Sequence, residues 1–428
     1  MKKLSLLTLS LFISVLGILL LLLHSSYLNP VVTYTIVFIA ASIVYCGICW
    51  ILEFVDVPRR FLFLTIAAAL LIRLSFISSA PIGSDDIFRY MWDGKVQSAG
   101  FNPYLFAPDS SALGHLHSRL LPLSVNHPDM KSPYFPLSEW YFCISYQLSG
   151  EAVWGYKLLL FLAEVATIAG LFLLLTALEI PNKYVLLYAL CPLAIIEFGL
   201  DGHVDALGFP FLMFGLLAHF RGKRLASLVL MALSISIKPV AIVILPIFLL
   251  SEQTWKGRMQ VIAVPAATIA LQYFPYVLSS NPFEALLVFA KNWSFNGVMF
   301  ESLYLFLANN QTSRLICAIL LAIVLLILYL SRKNTFDKIY FSMLLLLLFS
   351  PVVHPWYVAW LIILLPLTNR WSGIIFAATA SLTSVTILQY KLYGLWGQPA
   401  FILILEYLPV IVFLGWELAH AESSPEIA

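Results

Sequence analysis

Asp85 and Asp86 stand side by side, and Asp86, Arg89 and Asp93 recur at a spacing that puts their side chains on one face of a helix. Ser84 reads as the N-cap of that helix, and Gly100 followed by Asn102-Pro103 reads as its stop. An aspartate in a first helical turn is held ionised by the local dipole. Close to a membrane surface such a carboxylate suits the task of taking a proton from a hydroxyl nucleophile. Asp86 and Asp85 are therefore the candidate catalytic base. Capping of the helix is the competing role. What favours chemistry is the company in the same stretch: Arg89, Asp93, Lys95, Asn102, Tyr104, Asn126 and His127, with Tyr90 beside them, all candidate substrate contacts except Arg89, which is taken up below.

Other unusual polar residues sit at breaks in apolar sequence. His203 and Asp205, in Asp201-Gly202-His203-Val204-Asp205, either contact substrate or bond to each other at a turn. His354 in His354-Pro355-Trp356-Tyr357 reads as a substrate contact or a helix cap, with Trp356 and Tyr357 as sugar contacts or interface anchors. Trp293, Asn296 and Glu301 carry the same ambiguity, and Arg73, inside an apolar run, is either functional or paired with a buried acid. Cys46 and Cys49 have the spacing of a redox pair but lie mid-run, where a thiolate is costly, and read as structural.

The elements that must hold these residues follow from composition. Of 428 residues, 61% are hydrophobic and 11% charged. Soluble domains average about half apolar and a quarter charged, so water is not the main solvent. The formal net charge of +2 offers no basic field, which excludes nucleic acid as a partner. A helix crossing the hydrocarbon uses about 20 residues. The runs predict an all-α polytopic membrane protein of about 13–14 transmembrane helices, with spans near 4–23, 31–52, 61–78, 156–178, 184–200, 204–220, 259–279, 313–331, 337–351, 355–367, 372–389 and 400–417. The run 4–23 is longer than a signal-peptide core and reads as the first span. Residues 225–250 read as two short helices, because proline removes a backbone donor and a mid-bilayer lysine is costly at Lys238-Pro239.

Two helices there keep most basic residues of the short loops on the cytoplasmic side. The expected organisation is one integral-membrane domain over 1–428, with a large periplasmic loop at 79–155, a second outer loop at 280–312 and a polar cytoplasmic tail at 419–428. The unusual polar turns then share the outer face. Two amphipathic helices are expected in the large loop. One carries Ile87, Phe88, Met91, Trp92 and Val96 toward the interface, and the other carries Leu137, Trp140, Tyr141, Ile144 and Leu148.

The run from Ser84 to Gln97, then Gly100-Phe101-Asn102-Pro103-Tyr104, resembles the first outer loop of bacterial GT-C superfamily glycosyltransferases. More closely it is similar to the family 87-like, polyprenyl-phosphate-mannose-dependent mannosyltransferases. Asn126-His127-Pro128, Tyr134-Phe135-Pro136-Leu137, Gly202-His203-x-Asp205, Lys238-Pro239 and His354-Pro355-Trp356-Tyr357 follow in the order of that group, so the resemblance covers residues 84 to about 366. It implies a GT-C-like helical core in the bacterial cytoplasmic membrane with its active site facing the periplasm. The activity implied is transfer of a sugar, mannose by preference, from a polyprenyl-phosphate donor to a glycan or glycolipid acceptor, with inversion. Asp86 occupies the position of the loop aspartate base, and Asp85 beside it leaves the choice of base open.

The residues agree with that chemistry. Outside the cell no nucleotide sugar is at hand, so the donor must carry its activated phosphate in the bilayer. A phosphate leaving group needs cations, and Arg89 and Lys238 are the candidate donor-phosphate contacts, the first bidentate, the second a point charge at a broken helix. No cofactor is required; a divalent cation is compatible with the adjacent carboxylates, and no metal ligands are assigned. The alternatives are a polysaccharide ligase or polymerase, which would use a diphosphate-linked oligosaccharide, and a lipid-linked glycan transporter or flippase, which would show internal repeats and polar residues through both leaflets.

Overall fold

The computed structural model describes residues 2–25 and 29–420, so the last eight residues of the expected 419–428 tail lie outside the described residues. The chain is a helical membrane protein. Among the described residues there is no β-strand, only isolated bridges of Phe295 and Asn296 with Val352. Lipid cannot hydrogen-bond to backbone, so an apolar chain of this kind must satisfy its peptide groups within helices.

Not every apolar run forms one full-length helix. Among the described residues seven are long and apolar enough to cross a membrane, and the bent pair Asn182–Ala189 and Pro192–Leu200, at 52°, makes up to eight. Five more apolar helices are shorter: Val204–Phe220, Arg224–Ile237, Pro239–Ser251, Val298–Leu307 and Pro355–Thr368. Of the expected 13–14 spans, these seven or eight reach full length, and the all-α polytopic fold is as expected. Val358 to Leu365 are fully covered by protein, so that run packs against neighbours rather than lipid. Composition alone does not separate the two. Asn310–Leu330, by contrast, keeps only 17% of its apolar window covered. The expected outer loop 280–312 is also largely helical, with Glu284–Asn292 and Val298–Leu307 separated at Asn296, whose φ is +57°, and Gly297.

The chain divides into two compact units. One comprises Met1–Leu74, Leu171–Glu197 and Ser294–Ala428; the other comprises Ser75–Gly170 and Phe198–Trp293. In the first, Arg73 donates from Nη1 to the carbonyls of Ala189 at 2.7 Å and Ala69 at 3.2 Å. Asn296 is knotted into the same unit, donating to Val353 O and Glu406 and accepting from Gln398. Glu301 is half-buried on Val298–Leu307.

The second unit holds the large loop. Its first helix spans Asp86–Ser98 and its second Pro136–Ser149. Asp85 takes the N-cap position, and the Ser84 hydroxyl accepts the Asp86 N–H at 3.2 Å, one residue later than the sequence implied. Gly100, at φ +85°, ends the helix as expected. The apolar stripe does not face the interface: Ile87, Met91, Trp92 and Val96 are buried in protein, and so are Arg89 and Asp93 on the other face. The two loop helices pack backbone to backbone, so close that a Cβ on Gly94 would fall 2.1 Å from the Phe142 carbonyl oxygen. The second helix keeps the interfacial pattern, exposing Trp140, Ile144 and Leu148 while burying Ser138, Glu139, Phe142 and Ser145.

Candidate active site

The approach to Asp86 is fixed by two charged side chains that bond to backbone. Lys157 donates to the carbonyls of Phe76, Ser79 and Leu200 at 3.3, 2.7 and 2.5 Å. Asp201 accepts the N–H groups of Ile82 and Gly83, each at 2.8 Å. Together they tie the start of the loop to the turn at 200–203. Gly202 completes the tie: its φ is +81°, and a Cβ there would stand 2.9 Å from Ile87 Cδ1, so the turn needs glycine to press against the first loop helix.

That contact delivers His203, fully buried, to Asp86, with Nδ1 3.7 Å from Oδ2. From a third segment Asn126 donates its amide to Asp86 Oδ1 at 2.7 Å and to Asp85 Oδ1 at 3.1 Å. Asp205 pairs with Lys238 from the broken helix at 3.1 Å; the acid is covered and the lysine side chain keeps 19% of its surface exposed. Asp205 thus pairs with Lys238, and the ring of His203 is turned to Asp86. Asp85, Asp86, Asn126, His203, Asp205 and Lys238 are brought to one place by segments far apart in sequence. Lys238 stands at an extended residue between Arg224–Ile237 and the 3-10 turn Pro239–Ile244, so the break read from the sequence exists and carries the cation.

Burial pushes the Asp86 carboxyl up to about 6, against the Asn126 hydrogen bond, which lowers it; the Asp85 charge adds to the rise. The dipole expected to hold Asp86 fully ionised is outweighed by desolvation. The outcome is a carboxylate that is mostly charged at neutral pH yet basic enough to accept a proton.

Several sequence candidates bond within the loop. Arg89 is buried, its Nε forking to both Asp93 oxygens at 3.0 Å while Nη1 donates to Met130 O at 2.9 Å. Arg89 and Asp93 thus form a buried i,i+4 ion pair. Lys95 is held by Glu151 at 2.6 Å. Asn102 donates to the Ser279 and Ser280 hydroxyls, and Tyr104 donates to Tyr134 O from a buried ring. Tyr90 is packed among Tyr134, Phe142 and Tyr156, with centroids 5.2, 4.7 and 5.2 Å away. Arg89, Asp93, Tyr90 and Tyr104 are buried in the loop, whereas Lys95 and Asn102 keep part of their surface exposed. His127 is exposed next to Asn126, at φ +45°, with its ring edge-on to Trp293 at 4.6 Å. His354, Trp356 and Tyr357 belong to the other unit, where His354 stacks on Trp356 at 4.3 Å and on Phe295 at 4.8 Å. There His354 occupies the N-cap position of Pro355–Ile362 without a side-chain cap bond.

Glu139 escaped the sequence reading. It is covered, accepts from Gln97 Nε2 at 2.7 Å and contacts the Ser132 hydroxyl. Burial, reinforced by Asp93, pushes its carboxyl well above the usual range. The signal was present in its register: it lies opposite the Trp140, Ile144 and Leu148 stripe. Among the described residues no group of three or more His, Cys, Asp or Glu side chains is arranged to hold a metal ion.

A helical membrane protein whose large loop sets a near-neutral carboxylate beside a buried histidine, with an acid–lysine pair in the same unit, has the equipment of a transferase that handles an anionic substrate. The chain belongs to the alpha-(1->6)-mannopyranosyltransferase family: the profile of that family's N-terminal domain matches residues 9–252, and the MptB C-terminal domain profile matches residues 306–415. It is a glycosyltransferase of the membrane, and the likeness to mannosyltransferases read from the first loop is borne out. No curated protein matches the chain. Among solved structures, ArnT from Cupriavidus metallidurans bound to undecaprenyl phosphate aligns over 85% of this chain and 72% of that one, at 16% identity and a TM-score of 0.46.

Proposed function

We propose that the protein transfers mannose from a polyprenyl-phosphate carrier to a hydroxyl of a glycan or glycolipid acceptor at the outer face of the cytoplasmic membrane. The acceptor oxygen attacks the anomeric carbon as the bond from that carbon to the phosphate oxygen breaks. Asp86 takes the hydroxyl proton, and the polyprenyl phosphate departs with an added negative charge that Lys238 offsets. Inversion converts a β-linked carrier sugar into an α product, which agrees with the linkage in the family's description. One observation carries the reading: Asp86 is set against His203 and Asn126 in the unit that also presents the Asp205–Lys238 pair.

The test is transfer by purified protein in liposomes, supplied with monophosphate-linked mannose, monophosphate-linked glucose and a diphosphate-linked oligosaccharide. Product from the first alone supports the reading, and product from the third alone replaces it with a ligase or polymerase. The pH profile is a second check. A base works deprotonated, so kcat/KM climbs with pH and levels off above the Asp86 value of about 6. At pH 5 it should stand near a tenth of the plateau, by the titration of a single group. A profile flat down to pH 4.5 removes Asp86 as the titrating base.

A further inference from the structure

Tyr156 lies in the first turn of the Trp154–Ala177 helix, fully buried, its ring against Tyr90 at 5.2 Å and Phe142 at 5.9 Å. Its hydroxyl oxygen is closed off from solvent and has no hydrogen-bond partner among the described residues. Asp205, then Asp86, are the carboxylates that act on it electrostatically. A phenylalanine would pack as well and would avoid burying a polar atom without a bond. The hydroxyl therefore calls for a partner that arrives in another state of the site.

Lys238 supplies the reason for such a state. Its ammonium is 3.1 Å from a covered Asp205 and is itself partly exposed, yet the transfer reaction draws it to the donor phosphate. Moving a cation off a buried carboxylate forfeits a charge-assisted hydrogen bond. We propose that Tyr156 is a positioning residue of the transfer: its hydroxyl donates to Asp205 in place of Lys238 when the lysine turns to the phosphate. The exchange lowers the resistance to donor binding. It rests on the assignment of Lys238 to the donor phosphate made above.

The experiment measures kcat and donor KM in liposomes for the wild type, Tyr156→Phe, Asp205→Asn and the double variant, with polyprenyl-phosphate mannose as donor. Tyr156→Phe should raise donor KM about tenfold, the worth of one hydrogen bond to a charged group, and leave kcat within about twofold. Its unfolding temperature should be unchanged or higher. On the Asp205→Asn background, where the lysine is no longer held by a charge, the same substitution should change KM by less than about twofold. Wild-type KM in Tyr156→Phe, or an equal tenfold rise on both backgrounds, overturns the proposal. If Asp205→Asn does not fold, inhibition by free polyprenyl phosphate decides: its Ki must rise with KM in Tyr156→Phe, and an unchanged Ki overturns the proposal. Asp86→Asn is assayed in parallel. An active Asp86→Asn defeats the proposed base and with it the reading above, whereas an inactive one beside a normal Tyr156→Phe defeats this inference alone.

Discussion

Asp86→Asn should lower kcat/KM by about 10²–10⁴-fold, the usual worth of a general base, while the protein folds as before. The asparagine still offers Asn126 an acceptor oxygen, so the loop keeps its bond at that point. Stability makes a sharp control. The Asp86 carboxyl titrates higher in the fold than in the unfolded chain, so the folded state disfavours its charge. That cost is absent at low pH, grows as pH climbs past the unfolded value and is complete above about 6. At pH 7 the variant should therefore unfold at the same temperature or a higher one, in detergent, and its lost activity cannot be blamed on misfolding.

Asp85→Asn separates the neighbours. Asp85 is exposed and shares Asn126 only at 3.1 Å, so its loss should cost activity less than about tenfold by the logic of a charge beside, rather than at, the reacting proton. Because the Asp85 charge raises Asp86, its removal should also slide the acid limb of the pH profile toward lower pH. If Asp85→Asn abolishes transfer and Asp86→Asn does not, the roles are exchanged.

The elements around this site were legible in proportion to how local their signals are. The first loop helix was read as running between Ser84 and Gly100 and spans Asp86–Ser98. The second showed its stripe, and the break at Lys238-Pro239 followed from proline chemistry. What was hidden depends on contact across the chain. Nothing near His203 in sequence announces that Gly202 will press on Ile87 and turn the ring toward Asp86. Arg89 and Asp93 were correctly placed on one face, yet a face of charges reads equally as a binding surface or as a buried pair. Which spans meet lipid was hidden for a related reason: Val358 to Leu365 are as apolar as a lipid-facing run and are enclosed by protein. Glu139 and Tyr156 went unremarked because a single acid or phenol in an amphipathic helix acquires meaning only from what covers it.

Arg89 gives the second large effect, and it separates a structural ion pair from a phosphate contact. Breaking a buried pair by removing one partner strands the other, at a cost of about 3–5 kcal/mol. Arg89→Met should leave Asp93 without its cation among covered groups, and Asp93→Leu should strand the guanidinium. Each single variant is expected to lose the folded state at ordinary temperatures in detergent, read as early loss of monodispersity on heating. The double variant Arg89→Met/Asp93→Leu removes both charges and fills the space with apolar atoms, a change that is neutral or stabilising in other buried pairs. It should recover most of the unfolding temperature. Activity then decides the role of Arg89. Its Nη2 has no hydrogen-bond partner among the described residues and could in principle reach an anion, so a phosphate contact predicts a stable double variant with donor KM raised tenfold or more. The bonds to Asp93 and Met130 O argue for the opposite outcome: a double variant as stable as the wild type, with donor KM within about threefold, in which Lys238 alone meets the phosphate.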